Sequence, residues 1–335
     1  MLAAVFMGPG RPLELQELPV PEPGPGEVLL KIHRCGICAT DLHMTEDHGF
    51  TAPAGFVLGH ERGAEVIAIG KDAERFKVGD HVVPHNSRGC GRCAECLAGT
   101  PFFCGKADMN MAGFAQFMAC GEVFCAPIPA GLSLDDAALV EPLAVGLHSV
   151  TLTDLPLGAR VAVLGAGPMG LAAIHWARRA GAGRIAAVAR SRTREPIARG
   201  IGADAFLTAG DGLAGEIAEV LGGPPDAVIE CTGVPGAIAS AVDVVMPRGT
   251  VTVVGMCTHA DTWVPAMAML KELRIQFAVG TALHQFVKCA EALNAGHVEP
   301  RLMVTDQVGL TELPAVFEDL RTNSAQVKVL VDPWR

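Results

Sequence analysis

The chain contains no tyrosine among its 335 residues. That removes every mechanism using a phenol as proton donor, and with it the tyrosine-dependent dehydrogenases. Charge is sparse as well: 19% of residues are charged, and the balance is acidic at −10. A pI of about 5.5 argues against nucleic acid or an anionic membrane surface as partner, since both select a basic face. No apolar run reaches the roughly eighteen residues that a spanning helix needs. Residues 1–12 lack a basic region followed by an apolar stretch, so no export signal is expected and a cytoplasmic location is. The cysteines number eleven, an odd count that suits a reducing compartment where thiols are metal ligands or small buried hydrophobes.

Half of the residues are hydrophobic, which is ample for packed cores, and 335 residues are long for one core. Two domains are therefore expected. The densest local pattern is Cys90-Gly91-Arg92-Cys93-Ala94-Glu95-Cys96, closed by Cys104, with spacing C-x2-C-x2-C-x7-C. Thiolates are preferred zinc ligands, and four of them make a closed structural site. Gly89, Gly91 and Gly105 permit the tight turns. The competing reading is a disulfide cluster or a set of reactive thiols, which the intracellular character of the chain disfavours.

From Met1 to Val83 the pattern is turn-rich and strand-like, with strands expected at Val28–His33 and Ala64–Ile69. An irregular β-barrel follows. It contains two ligand candidates, Gly36-Ile37-Cys38-Ala39-Thr40-Asp41-Leu42-His43 and Gly59-His60-Glu61. One Cys and one His far apart in sequence fit a catalytic zinc site with an open position, although a lone His is more often a satisfied core residue. Cys35 and Cys38 could be read as a redox pair, but the βαβ context for that is missing.

The pattern changes near Leu157. Arg160–Leu164 is a nearly continuous apolar run, as expected of a buried parallel strand. It leads into Gly165-Ala166-Gly167-Pro168-Met169-Gly170, an alanine-rich helix over Leu171–Ala180, and a second strand over Arg184–Ala189. This is G-x-G-x-x-G in its βαβ context, with the helix N-terminus facing a pyrophosphate. Where an acidic residue would bind the ribose hydroxyls of NAD, the chain reads Ala189-Arg190-Ser191-Arg192-Thr193-Arg194. Guanidinium matches a 2′-phosphate, so NADP is expected, with NAD as the alternative. Further strands at 226–231 and 249–255 extend a doubly wound parallel sheet. The run 273–280 reads as an edge strand, 286–295 as a helix stopped by Gly296, and 327–331 as a closing strand.

The Gly36-Ile37-Cys38-x-Thr40-Asp41 and Gly59-His60-Glu61 stretches, the four-cysteine lobe and the glycine fingerprint occur together in this order. In that combination the chain resembles the zinc-dependent medium-chain alcohol dehydrogenases over essentially its whole length. The resemblance implies an α/β fold with a GroES-like catalytic zinc domain over 1–145 and 283–335, and a Rossmann domain over 146–282. It implies catalytic zinc on Cys38 and His60, Thr40 beside the substrate oxygen, and His43 as a later member of a proton relay. Cys35 has no ligand role in the family pattern, and Asp41 orients a ligand. The segment Leu139–His148 resembles the family's Glu-Pro branch, which includes polyol and threonine dehydrogenases. Glu141 is thereby implied as the third ligand, directly or through water, with Glu61 able to exchange. The competing reading of Glu141 is a charge favoured by the helix dipole. Cys90, Cys93, Cys96 and Cys104 are implied to hold a second, structural zinc. Cys231-Thr232-Gly233 and Val254-Gly255 are implied to line the cofactor. The Gly63-Ala64 order departs from the family's zinc signature, and a small local adjustment is expected rather than loss of metal.

The expected reaction is hydride transfer between a secondary alcohol or polyol and NADP(H), in a homodimer or homotetramer. Phe50, Phe56, Met109 and Leu283 are candidate walls of the substrate pocket. A zinc-free enone reductase is the rival enzyme reading, and Cys38, His60 and the four-cysteine lobe count against it. A zinc- and nucleotide-binding regulatory protein is the rival of another class.

Overall fold

The strand Glu27–Gly36 is the hub around which the metal-bearing half is built. Val28, Leu30 and Ile32 alternate inward and are fully buried, as a strand with one face on a core requires. Burying each such side chain contributes about 2 kcal/mol. Glu61–Ile69 pairs antiparallel along one edge, placing Gly36 opposite Glu61 and Cys35 opposite Arg62. Phe117–Gly121 pairs along the other edge, and Lys328–Asp332 joins at the end, with Leu330 opposite Gly36. One sheet thus sets the last strand of the chain beside Glu27–Gly36, which leads to Cys38, with Glu61–Ile69 along the opposite edge of that hub.

The computed structural model describes residues 1–47, 50–322 and 325–335. They form two units, Met1–Ala144 with Gly280–Arg335, and Val145–Val279. In the first unit the seven-stranded sheet is accompanied by a three-stranded sheet and by the two-stranded ribbon of Ser87–Arg88 with Asp108–Met109. Its core gathers Phe6, Leu30, Ile32, Met44, Leu58, Phe114 and Phe317. The Gly63-Ala64 order has a packing reason. A Cβ on Gly63 would sit 2.4 Å from the carbonyl oxygen of Leu134, so the strand meets the short helix Leu134–Ala137 only through glycine.

The second unit holds one fully parallel sheet of six strands. Across the sheet they run Ala205–Thr208, Arg184–Ala189, Arg160–Leu164, Ala227–Glu230, Thr250–Val253 and Arg274–Phe277. This is the 3-2-1-4-5-6 order of a doubly wound nucleotide-binding fold, which reverses beside the first strand. Val161, Val163, Ile185, Val228 and Ile229 are fully buried, which explains the near-continuous apolar runs. The first helix spans Pro168–Arg179 and so begins three residues before the expected Leu171. Pro168 is suited to a first turn because its missing N–H has no partner there anyway. The strand Arg274–Phe277 lies at the sheet edge, as the sequence suggested.

Candidate active site and metal centres

Cys38 ends the hub strand's turn and caps the one-turn helix Ala39–His43. Asp41, in that helix, is fully buried and ties the two ligand segments together. Its Oδ2 accepts the Cys38 N–H at 3.0 Å. Its Oδ1 accepts the Gly59 N–H at 3.0 Å and faces His60 Nδ1 at 3.2 Å. A carboxylate at Nδ1 fixes that nitrogen as the donor and leaves Nε2 with its lone pair. Burial alone would lower the His60 pKa. Asp41, and then the Cys38 sulfur, carry it well above the ordinary imidazole range. The pocket therefore favours a positive charge at this point.

Ligand atoms of Cys38, His60 and Glu61 lie within 4.8 Å of one another. Thiolate, imidazole and carboxylate are all zinc donors, and three protein donors leave one coordination position open, so the donor set fits a catalytic zinc. Glu61 is fully buried, and Lys328 Nζ donates to both of its oxygens at 2.6 Å and to the Ile37 carbonyl at 2.9 Å. Lys328 is itself fully buried. Desolvation opposes its charge, yet Glu61 raises its pKa above the ordinary lysine value. Gly36 is required opposite this pair, because a Cβ there would lie 2.0 Å from Glu61 Oε2.

Glu141 stands in the first turn of the helix Val140–Thr153 and is buried. It is not a member of the close three-ligand group. Its Oε1 accepts from Asn86 Nδ2 at 2.9 Å. Burial pushes its pKa up to about 7, the charge of Glu61 adding to this while His60 and Lys328 oppose it. Thr40 and His43 share the one-turn helix and are half-buried, with His43 Nδ1 3.4 Å from Glu46 Oε2. Of the candidate pocket walls, Phe56 and Met109 pack on the core of the first unit, Phe50 is exposed, and Leu283 opens the helix Leu283–Asn294.

Ligand atoms of Cys90, Cys93, Cys96 and Cys104 also lie within 4.8 Å of one another, and all eleven cysteines are free thiols. Four sulfurs, with no fifth group among the described residues, form a closed set that fits a structural zinc. The chain closes around them through Gly91 at φ +73°, and through Gly89, whose Cβ would meet Cys96 Sγ at 2.5 Å. Backbone N–H groups of Cys90 and Lys106 point at Cys104 Sγ at 3.4 and 3.3 Å. The N–H groups of Arg92 and Cys93 hold the Cys90 pKa down at about 6. Desolvation and the neighbouring sulfurs push that of Cys96 up to about 12.

In the second unit each glycine of the fingerprint has a distinct duty. Gly165 turns the chain at φ +100°. Gly167 precedes the helix Pro168–Arg179 with no side-chain cap, so the first N–H groups are free to face an anion. Met169 is half-buried in that first turn. A Cβ on Gly170 would sit 1.8 Å from the Gly165 carbonyl, so only glycine lets helix and strand approach. Beyond Ala189, residues Arg190, Ser191 and Arg192 are exposed. Arg192 is committed to Glu195 at 2.7 Å, whereas Arg190 faces no carboxylate among the described residues. Arg194, which the sequence reading passed over, bends back to place Nη1 3.4 Å from the Ala166 carbonyl, over the glycine loop. Three arginines at alternate positions were the available signal. Thr232 donates its N–H to the buried Glu230 carboxylate at 2.5 Å and its hydroxyl to the same oxygen. Val254 N–H bonds the Glu230 carbonyl at 2.8 Å, so one residue gathers both implied cofactor-lining loops.

Comparison with known proteins places these features in one family. The family model for an alcohol dehydrogenase GroES-like domain matches residues 24–130, and that for a zinc-binding dehydrogenase matches residues 168–295. Sorbitol dehydrogenase of Bos taurus is 32% identical, with 99% of this chain and 96% of that protein aligned. Sorbitol dehydrogenase of Bacillus subtilis strain 168 is 31% identical, with 100% of this chain and 98% of that protein aligned. Among solved structures, an NADP-bound protein of Sinorhizobium meliloti 1021, assigned as a zinc-binding dehydrogenase, superposes with a TM-score of 0.91 at 29% identity. That match covers 99% of each chain. The 2R,3R-butanediol dehydrogenase of Bacillus subtilis gives 0.87 at 28% identity, again covering 99% of each chain. No helix among the described residues is long and apolar enough to cross a membrane. The chain belongs to the zinc-dependent medium-chain alcohol dehydrogenases.

Proposed function

We propose that this dehydrogenase interconverts a secondary alcohol or polyol and its carbonyl product with NADP(H), at a zinc held by Cys38, His60 and Glu61. The observation that carries the reading is the convergence of those three donors, with Asp41 behind the imidazole. Polyol and secondary-alcohol relatives support the substrate class. Zinc, when bound, supplies Lewis-acid stabilisation of the substrate oxygen and brings proton loss toward neutral pH. The glycine fingerprint at Gly165–Gly170 and the arginine-bearing turn after Ala189 would hold the nicotinamide dinucleotide, which would supply the hydride acceptor or donor.

The chain's own groups do the rest. Asp41 holds His60 in the tautomer that offers Nε2. Lys328, fully buried with Glu61, balances the Glu61 charge. Glu141, buried beside them and held by Asn86, is a carboxylate in reserve, able to approach the metal directly or through water. Thr40 accepts the alcohol proton and passes it to His43, one helical turn away on the same face and open to solvent.

The preference for NADP rests on Arg190, exposed and without a carboxylate partner, with Ser191 beside it and Arg194 over the glycine loop. Arg190→Ala should weaken NADP binding about tenfold or more, the worth of a charge-assisted hydrogen bond, and leave NAD nearly unchanged. Equal losses for both cofactors, read by fluorescence titration, would refute the assignment. The edge strand Arg274–Phe277, with exposed Phe277, Val279, Met269 and Leu270, supports a homodimer or homotetramer through this strand. The thiol-rich composition supports a cytoplasmic setting. Turnover of a panel of secondary alcohols and polyols with both cofactors tests the function. Failure of every substrate, at full zinc occupancy, would sink it.

A further inference from the structure

Away from both metal centres, the first unit buries another pair of sulfurs. Cys120 lies in the strand Phe117–Gly121, and Cys125 opens the strand Cys125–Pro127 after the single turn Glu122–Phe124. Their Sγ atoms are 3.7 Å apart, with Cys125 donating to Cys120. Neither sulfur belongs to a candidate metal group, and both residues are buried, at 2% and 0% exposure. Asn110 Nδ2 donates to the same Cys120 Sγ at 3.2 Å, and it is anchored by a second bond to the His85 carbonyl at 2.8 Å. Two donors therefore converge on one sulfur.

A positive charge lies nearby. The Arg62 guanidinium is fully buried and bonds the carbonyls of Met111, Pro84 and His85 and the sulfur of Met118. No carboxylate bonds it among the described residues, and its Nε has no partner. Of the groups able to carry negative charge, Cys120 would act most strongly on Arg62, ahead of Cys35, Cys125 and Glu141. A buried cation without a counter-charge is costly, and a thiolate at Cys120 offsets that cost. Consistent with this, the hydrogen bond from Cys125 holds the Cys120 pKa below the ordinary thiol value, and the same bond pushes that of Cys125 well above it.

We propose that Cys120 and Cys125 are a redox-active dithiol that closes to a disulfide when oxidised by a peroxide. Cys120 is the attacking sulfur and Cys125 the resolving one. The Cys120 thiolate attacks one oxygen of hydrogen peroxide, the O–O bond breaks, and the departing hydroxide takes up a proton as water. The product is a sulfenic acid. The Cys125 sulfur then attacks the sulfenic sulfur, the S–O bond breaks, and the leaving hydroxide departs as water with the Cys125 thiol proton. Two thiols and one peroxide give one disulfide and two waters, with two electrons passing from sulfur to oxygen. A small neutral oxidant is required because neither sulfur is open to a bulky disulfide reagent. Bond formation brings the sulfurs from 3.7 Å to about 2.0 Å.

The test is a peptide map of the zinc-loaded full chain after exposure to hydrogen peroxide, followed by alkylation. Trypsin releases both cysteines in one peptide, residues 107–160. That peptide should appear two hydrogens lighter, free of alkyl groups until reduced, before any sulfinic acid forms on Cys120. In Cys125→Ser the sulfenic acid on Cys120 should persist and be trapped by a 1,3-dione probe. Asn110→Leu should slow disulfide formation several-fold at neutral pH. Full alkylation of Cys120 and Cys125 in the unsubstituted chain, after other thiols have been oxidised, would overturn the proposal. So would a Cys120 sulfinic acid without a disulfide. Neither result depends on whether a variant folds.

Discussion

The two candidate metal centres of the first unit are assembled in opposite ways. The four-cysteine set lies within residues 90–104, all sulfur, with backbone N–H groups and glycine turns supplying the geometry. The Cys38 set takes one thiolate, one imidazole and one carboxylate, and each is held by a partner: Asp41 for the first two, and Lys328 for Glu61. A local loop makes a closed site whose energy goes into folding. A site gathered from several strands keeps a coordination position free, and it needs buried charges to hold its ligands still.

That contrast can be broken by exchanging what is lost. Cys38→Ala should remove the Lewis acid and cost several kcal/mol of transition-state stabilisation, about a thousandfold or more in kcat/KM, with the fold retained. Normal turnover would show that the donors are misassigned. Lys328→Met should leave the Glu61 carboxylate buried and unpaired. The zinc-free protein should then lose about 3–5 kcal/mol of stability, with added zinc restoring a large part, because the cation replaces the lysine charge. Thermal melts with and without zinc would read this, and equal melting of variant and parent in both states would refute the pairing. Cys96→Ala should behave in the reverse sense to Cys38→Ala. A loss of about 3 kcal/mol would lower the melting midpoint by roughly 6–12 °C while leaving kcat/KM within a few-fold at low temperature. A catalytic defect larger than the stability defect would place the four-cysteine loop in the chemistry.

The same division explains what the sequence could and could not reveal. The glycine fingerprint and the four-cysteine loop depend on spacing within about twenty residues, so both are legible as strings, and each glycine has a local steric reason. The parallel strands are legible because burial on both faces removes alternation. Helix starts slipped by a turn where Pro168 extended the first turn. Lys328 was invisible as a partner for Glu61, because 267 residues separate them and only the pairing of the final strand with Glu27–Gly36 brings them together. Asn86 and Glu141 likewise lie far apart in the chain, 55 residues, and meet only in the fold. The resemblance implied Glu141 as the third ligand, while the close group contains Glu61, and no spacing rule distinguishes two buried glutamates. Arg194 was passed over because its role depends on the side chain folding back over the glycine loop.

The central claim is that one zinc works while the other holds structure. It is tested most directly by measuring bound zinc, turnover and thermal midpoint together during gradual chelation. Two zinc ions per chain are expected at the start. Turnover should vanish as the ion at the open Cys38 site is withdrawn, with the midpoint still high, and the midpoint should fall only with the second ion. Turnover that survives loss of the first ion and disappears with the midpoint would contradict it.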